Sequence, residues 1–390
     1  MLPCESAPVS GASSPLIAID ARKLGDYGIG RYIANTLRGL AAREGPERYR
    51  VLVAPGAPLP ELDGRFELRE VDAPGYGLRE HLAVPAAARG CDLLHVPHYV
   101  LPLAWRGPAV VTIHDLIHLR FPQIFGPLKR SYARAAIASA CRRARVVLTV
   151  SETVARDIEQ SFPRSRGRVR VVPNEVAEPF YRPGDPDAAA GLDARLEQVE
   201  GELPGRFVLA TGNTGPHKDL PVLVEAMARV REREDMADVA LVLASSADTT
   251  ELVARARSCA VPLRVLSGLG TPELAELFRR ASILAHPSRY EGFGLPVAEA
   301  LAAGLPVVAA RGGATPEVVG EAGSRPAAEL VAVGAVDELA GALTRVLLDG
   351  DRRAELARLG KRRAEDFRPG STAPGVLEAY RAALSGEAGV

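Results

Sequence analysis

From residue 16 onward the chain alternates two patterns: short runs dominated by Val, Ile, Leu and Ala, and longer stretches whose apolar residues recur at helical spacing. The short runs do not alternate apolar with polar residues, as a strand with one wet face would, so both of their faces must be covered. Parallel strands joined through helices meet that requirement, because each parallel connection must cross the sheet. The expected fold class is therefore α/β. In the first half strands are expected at 16–21, 49–54, 92–97, 109–114, 145–151 and 169–173, with helices notably at 31–43 and 127–144. In the second half they are expected at 206–211, 239–244, 263–266, 282–285 and 306–309, with helices at 220–231 and 272–280. Each half reads as a complete Rossmann-like unit.

A chain of 390 residues suffices for two or three such units. The Pro- and Gly-rich stretch 179–186 (PFYRPGDP), followed by polar, weakly patterned sequence to about 205, marks the join. The expected organisation is a flexible extension at 1–15, a first domain at 16–185, a second at 186–370 and a terminal helix within 371–390. Two facing α/β domains create a cleft, and ligands of open sheets sit beyond the carboxyl ends of the strands.

Charge and cysteine content exclude several classes. With 48 Lys+Arg against 48 Asp+Glu the chain has no global field to attract nucleic acid. Cys4, Cys91, Cys141 and Cys259 lie far apart, which suits neither a disulfide framework nor a zinc site. The start shows no basic-then-apolar signal pattern and no run long enough to span a membrane, so a cytoplasmic protein is expected.

Three loops carry the chemistry. Glu291-Gly292-Phe293-Gly294-Leu295 follows an expected strand, and Pro296 suits the first turn of a helix, whose free amides would hold phosphate or sugar hydroxyls. Glu291 would overhang that site and Glu299 would sit one turn into the helix, although either carboxylate taken alone could simply be solvated or complement the helix dipole. The loop 211–218 (TGNTGPHK) also lies between a strand and a helix; Gly212 and Asn213 are in it, and Lys218 is one of only four lysines. Gly28, Ile29 and Gly30 open a helix after the first strand, but the third glycine of a dinucleotide fingerprint and an acidic ribose ligand after the next strand are missing, which disfavours NAD. His114-Asp115 ends another strand, where a side chain would face the cleft. No credible acidic cluster suggests a metal: Asp185-Pro186-Asp187 lies in the linker and reads as turn chemistry.

In their order along the chain, Gly28-Ile29-Gly30-Arg31, Thr112-Ile113-His114-Asp115-Leu116, Val150-Ser151-Glu152, Val171-Val172-Pro173-Asn174, Gly212 with Pro216-His217-Lys218, and the segment 291–308 resemble the retaining glycosyltransferases of family 4, which have the GT-B fold. The resemblance spans about 16–383, and its E-x7-E segment is the most specific part. It implies that Glu299 holds the nucleotide ribose, and that Glu291 with the amides of Gly292, Phe293, Gly294 and Leu295 holds the donor sugar. It further implies that Lys218 neutralises the diphosphate while Gly28 to Gly30 close over it, that His114 contacts the transferred sugar, and that Leu266 lies in the segment holding the base. The last helix, 372–384, is implied to cross back onto the first domain. Two departures stand out: many relatives have an arginine where this chain has Asn213, and a glycine where it has Glu175.

The function so implied is transfer of a hexose from a nucleoside diphosphate sugar to an acceptor hydroxyl, without metal or cofactor. GDP-mannose is the preferred donor, since the early segments look most like bacterial mannosyltransferases of surface polysaccharides, and UDP-glucose comes next. The acceptor would be a glycan or lipid-linked glycan. A sugar-nucleotide epimerase on the same fold and a non-catalytic sugar-nucleotide-binding module are the alternatives; a glycosidase using Glu291 and Glu299 leaves Lys218 unexplained. The basic helix after Pro127 raises peripheral contact with the inner membrane face, against the plainer reading of a solvated basic surface.

Overall fold

The computed structural model describes residues 14–198, 203–323 and 325–386. Most of the expected 1–15 extension therefore lies outside the described residues. The first sheet contains β1 (Leu16–Asp20), β2 (Arg48–Val53), β3 (Phe66–Glu70), β4 (Leu93–Val96), β5 (Ala109–Ile113), β6 (Val146–Thr149) and β7 (Val169–Val171), in the order β3-β2-β1-β4-β5-β6-β7. The second contains β8 (Phe207–Thr211), β9 (Ala240–Ala244), β10 (Leu263–Leu266), β11 (Ile283–His286), β12 (Val307–Ala310) and β13 (Glu329–Val331), in the order β10-β9-β8-β11-β12-β13. All pairings are parallel. This is the two-domain Rossmann-like architecture of the GT-B fold.

Two strands escaped the sequence reading for opposite reasons. β3 (FELRE) is an edge strand with four of its five residues exposed, so it carries no apolar run. β13 is an edge strand of three residues, too short to show a pattern.

Both sheets reverse their winding at a switch point, between β1 and β4 in the first and between β8 and β11 in the second. Loops on either side of such a point diverge and leave a crevice at the carboxyl ends. The loops after β1, β8 and β11 are the three glycine-bearing segments singled out above, so the topology itself brings them to one cleft.

Near the expected 185/186 boundary, Val176 and Phe180 pack in one cluster with Leu192, Phe207 and Phe278, which Val150 of the first domain also joins. The helix Thr372–Ser385 returns to the first sheet: Ala373, Val376, Ala379, Tyr380 and Ala383 pack with Ile17, Ile19 and Leu37. Glu175 anchors the start of that return, its carboxylate accepting from the amides of Gly370 (2.8 Å) and Thr372 (3.3 Å). The second departure noted in the sequence thus secures the crossing helix. A glycine there would have no carboxylate to offer.

Candidate functional site

On the second-domain wall, the helix Leu295–Ala303 begins after β11 with Pro296 in its first turn, as expected. Glu299 and Glu291 are both buried. Lys218 Nζ lies 2.7 Å from Glu291 Oε1, and His286 Nε2, at the end of β11, lies 3.2 Å from the same oxygen. Burial alone would raise the Glu291 pKa, but the Lys218 charge and His286 outweigh it and hold the carboxyl well below the usual range. Glu299 shifts the opposite way: burial raises its pKa, and the facing Arg31 offsets that only in part.

Asn213 spends its side chain on local geometry. Its Oδ1 accepts from the Gly215 amide at 3.0 Å, a turn that shapes the lysine loop without adding positive charge. His217 is buried beside Lys218, and burial with that neighbouring charge lowers its pKa, keeping it neutral.

The first-domain wall comes from separate elements. At the end of β1, buried Asp20 binds the Arg22 guanidinium at 2.8 and 2.6 Å, and Arg22 continues to the Ala73 carbonyl (2.7 Å) and Glu80 (3.1 Å). This network braces the chain leading to the helix Tyr27–Ala41, where Lys23 pairs with Asp26 at 2.6 Å. Beyond β5, His114 Nε2 donates to the Pro97 carbonyl at 3.0 Å. A carbonyl can only accept, so in the neutral ring Nδ1 carries the lone pair. Burial lowers the His114 pKa and favours that neutral form.

The walls touch. A Cβ on Gly292 would lie 2.0 Å from the His114 carbonyl oxygen, so only glycine permits this approach. Ser151 caps the helix Glu152–Ser161, accepting from Val154 N, and its hydroxyl also donates to the Gly292 carbonyl at 2.6 Å. The same helix end receives Glu317 from the second domain on the amides of Glu152 (2.9 Å) and Thr153 (3.2 Å). Tyr290 donates to Asp157 at 2.7 Å, and Arg31 forms an ion pair with Glu299 across the opening.

Between the walls lies a cavity of about 350 Å³. Of the residues expected at the site, Gly28, Ile29, His114, Gly212, Asn213, Lys218, Glu291, Gly292, Phe293, Gly294, Leu295 and Glu299 line it. Gly30 and Leu266 do not. Gly30 lies beneath the opening turn, where a Cβ would come within 2.1 Å of the Leu24 carbonyl oxygen, so close packing requires glycine there. Leu266 ends β10 with its side chain in the second core. Sequence reasoning assigned no role to Arg31, Asp26, Asp115, Asn174 or His217, which also line the cavity. Each lies in or beside a segment already singled out, Asp26 two residues before Gly28 and Asp115 directly after His114.

Beyond Ile117 a second, aromatic groove of about 650 Å³ opens on the first domain, lined by Tyr76, Tyr99, His118, Phe125, Leu128, Lys129 and Tyr132. His118 stacks on Phe125 with centroids 4.2 Å apart, and Lys23 Nζ sits 4.0 Å from the Tyr76 ring centroid. The basic helix Pro127–Arg143 therefore adds to its own Tyr132 the aromatic neighbours Tyr76, Tyr99 and Phe125. Leu128 is strongly exposed, whereas Arg143 is occupied with the carbonyls of Pro102 and Trp105. The Asp185 carboxylate accepts from the Asp187 amide at 3.0 Å at the start of the helix Pro186–Gln198, so the expected turn in a linker is a helix start instead. Among the described residues no group of three or more His, Cys, Asp or Glu is arranged to hold a metal ion, and no helix is long and apolar enough to cross a membrane.

Comparison with known proteins agrees with this architecture. The family model described as Glycosyltransferase Family 4 matches residues 27–177, and the one described as Glycosyl transferases group 1 matches 195–363. The chain is 36% identical over 245 residues to the MMP alpha-(1->4)-mannosyltransferase of Mycolicibacterium hassiacum, covering 61% of this chain and 54% of that one. It is 30% identical over 324 residues to the D-inositol 3-phosphate glycosyltransferase of Salinispora tropica, covering 77% and 65% respectively. It thus spans between half and two thirds of the length of these curated relatives. Among solved structures, the sucrose-phosphate synthase of Thermosynechococcus elongatus superposes with a TM-score of 0.76 at 20% identity, over 95% of this chain and all of that one. With a family model on each half and a shared cleft between two parallel sheets, the chain belongs to glycosyltransferase family 4 and has the GT-B fold.

Proposed function

We propose that the protein transfers a hexose from a nucleoside diphosphate sugar to an acceptor hydroxyl with retention of anomeric configuration. One observation carries the reading: the loops at the second sheet's switch point bring Glu299, Lys218 and Glu291, and the end of β5 brings His114, to one cavity. Glu299 accepts hydrogen bonds from the ribose hydroxyls. Glu291, with the amides at the start of the helix Leu295–Ala303, holds the sugar hydroxyls, and the unprotonated His114 Nδ1 accepts from another. Lys218 faces the diphosphate. As the bond from the anomeric carbon to the phosphate oxygen breaks, its electron pair passes to the diphosphate, where a preorganised cation stabilises the growing charge. The acceptor hydroxyl attacks from the same face and gives its proton to the departing phosphate oxygen, so no protein nucleophile is required.

The donor in this reading is GDP-mannose, with UDP-glucose next; the mannosyltransferase relative supports mannose as the sugar. The acceptor is a glycan or lipid-linked glycan of polysaccharide synthesis, entering along the aromatic groove, where ring faces can stack on sugars. Exposed Leu128 and Lys129 at that groove favour peripheral contact with the inner membrane face, and the free thiols of Cys91, Cys141 and Cys259 fit a cytoplasmic location. Neither a cofactor nor a metal takes part, because Lys218 and backbone amides supply the positive potential.

A thermal-shift panel of nucleotide sugars tests the donor assignment, since a ligand at a hundred times its Kd adds about 2.7 kcal/mol of stability. GDP-mannose should raise the melting temperature most. Transfer should also persist in excess EDTA; activity that disappears and returns with Mn²⁺ or Mg²⁺ would refute the metal-free mechanism.

A further inference from the structure

The cavity contains more acid than base. Its lining includes four carboxylates, Asp26, Asp115, Glu291 and Glu299, but only two permanently cationic side chains, Arg31 and Lys218. Lys23, outside the lining, neutralises Asp26. The two histidines of the lining, His114 and His217, are both shifted toward the neutral form by burial. A nucleoside diphosphate adds at least two more negative charges, and these grow as the glycosidic bond breaks. Lys218 alone is a poor match for that demand, since it already faces Glu291 and its loop carries Asn213 in place of a second cation.

Arg31 is the remaining cation, and its position is unusual. It projects from the first turns of the helix Tyr27–Ala41, on the wall opposite Lys218, and pairs with Glu299 across the opening. Its side chain is 26% exposed, whereas Glu299 is 4% exposed. The more accessible partner of this pair is thus the arginine, and the buried partner is the carboxylate assigned above to the ribose.

We propose that Arg31 is a second leaving-group cation, delivered from the first domain when ribose hydroxyls displace it from Glu299. The proposal rests on the donor orientation given under Proposed function. The exchange leaves no buried charge without a partner: the ribose hydroxyls donate to the Glu299 oxygens, and the guanidinium fork turns to phosphate oxygens, whose geometry it matches in a bidentate fashion. Breaking the pair without that replacement would strand a buried carboxylate. The electron pair of the cleaved bond goes to the diphosphate, and the acceptor's proton follows to its oxygen, so Arg31 supplies charge stabilisation and takes up no atom. Because the guanidinium comes from the first domain while ribose, sugar and Lys218 belong to the second, its shift links donor binding to closure of the cleft.

The test compares wild type with Arg31→Gln and Arg31→Lys in the full chain, measuring kcat for sugar transfer and calorimetric affinity for free GDP and UDP. Arg31→Gln should lower kcat about 100-fold and weaken binding of the nucleoside diphosphate about tenfold, with Arg31→Lys recovering part of both, since lysine keeps the charge but loses the fork. If Arg31 only latches the empty cleft, Arg31→Gln instead frees Glu299. Nucleotide then binds more tightly and kcat stays within twofold, which overturns the proposal while leaving the transferase reading intact. If wild type binds neither GDP nor UDP, the donor orientation fails and takes this proposal with it. Melting curves for both variants guard against a folding defect, and Arg31→Lys, which retains the ion pair with Glu299, remains interpretable if Arg31→Gln proves unstable.

Discussion

The second-domain wall of the cleft draws its charged groups from two loops and the helix that follows one of them, and Lys218, Glu291 and His286 pair within that wall. The first-domain wall instead collects Gly28, Arg31, His114, Asp115 and Asn174 from the ends of different strands, and other elements hold them in place. Asp20 and Arg22 brace the β1 loop from beneath. His114 is fixed through Pro97, and its ring meets Tyr32 edge-on with centroids 4.8 Å apart. Behind Tyr32 a buried chain of hydrogen bonds runs through Thr112 and His95 to Tyr380 on the returning C-terminal helix. The difference is one of where order comes from. One wall is organised by contacts within its own domain, chiefly between the loops after β8 and β11, and the other by contacts that reach to the end of the chain.

The largest expected effect breaks the second wall from within. Glu291→Gln keeps the shape but removes the charge that holds Lys218, and transfer should fall by about 10² to 10³-fold, the scale of one preorganised transition-state contact. Lys218→Ala should lower the rate and also weaken nucleotide binding, because the diphosphate is charged before and after transfer. At 2.7 Å the two residues are coupled, so single variants alone do not apportion the effects. Kinetics and calorimetry on both variants and the double variant give the coupling energy. If Glu291→Gln weakens binding of free nucleoside diphosphate as much as Lys218→Ala does, the separate placement of sugar and phosphate is wrong.

Next in size is Glu299, which joins the walls. Glu299→Ala should weaken free nucleotide and donor alike by about 1.5 to 3 kcal/mol, the range for hydrogen bonds to a charged group. Its raised pKa gives the pH dependence a definite sign. A carboxyl must be ionised to accept two hydroxyl donors, so nucleotide affinity should start to fall at a higher pH than for an ordinary glutamate as the solution is acidified. Stability runs the other way: the folded protein holds this proton more tightly than the unfolded chain, so the Glu299 contribution to stability rises as pH falls. Calorimetric titration with nucleotide across the acid range, in wild type and Glu299→Gln, checks both the size and the sign. A pH profile shared by the two proteins would remove Glu299 from the ribose.

The same contrast explains what the sequence revealed. Glu291 and Glu299 were legible because a glycine loop, a proline and a helix stand consecutively, and local rules of helix starts apply to them. Both sheets were legible from their apolar runs, except β3 and β13, whose residues are exposed or too few to show a pattern. Gly30 and Leu266 were placed at the site by motif position, and only packing shows Gly30 pressed on Leu24 and Leu266 turned into the core. Arg31 lay inside a motif that was read, yet its partner Glu299 is 268 positions away. No local pattern encodes such a contact. Glu175 likewise acquires meaning only when the C-terminal helix arrives at its carboxylate.

The smallest effect tests how far order in the first wall depends on that helix. Tyr380 and the His95 Nδ1 are 2.8 Å apart in a fully buried setting, and His95 Nε2 lies 2.9 Å from Thr112. Tyr380→Phe removes one hydroxyl without changing the ring, leaving a buried nitrogen unpaired, and should cost about 1 to 3 kcal/mol of stability. Burial pushes the His95 pKa down to about 3, so the folded protein keeps this ring neutral where an unfolded chain would protonate it. As pH falls from about 6.5 toward 3, the unfolded state binds a proton that the folded state does not, and stability declines by up to about 1.4 kcal/mol per pH unit. Thermal melts at pH 7 and 5 for wild type and His95→Gln should therefore show a steeper acid loss in the wild type. For transfer the expected change is modest, a fewfold loss in kcat with nucleotide affinity unchanged, because the buried chain ends behind His114 on the first wall and touches nothing on the second. If Tyr380→Phe weakens nucleotide binding as well, the two walls are organised together, and the division between them does not hold.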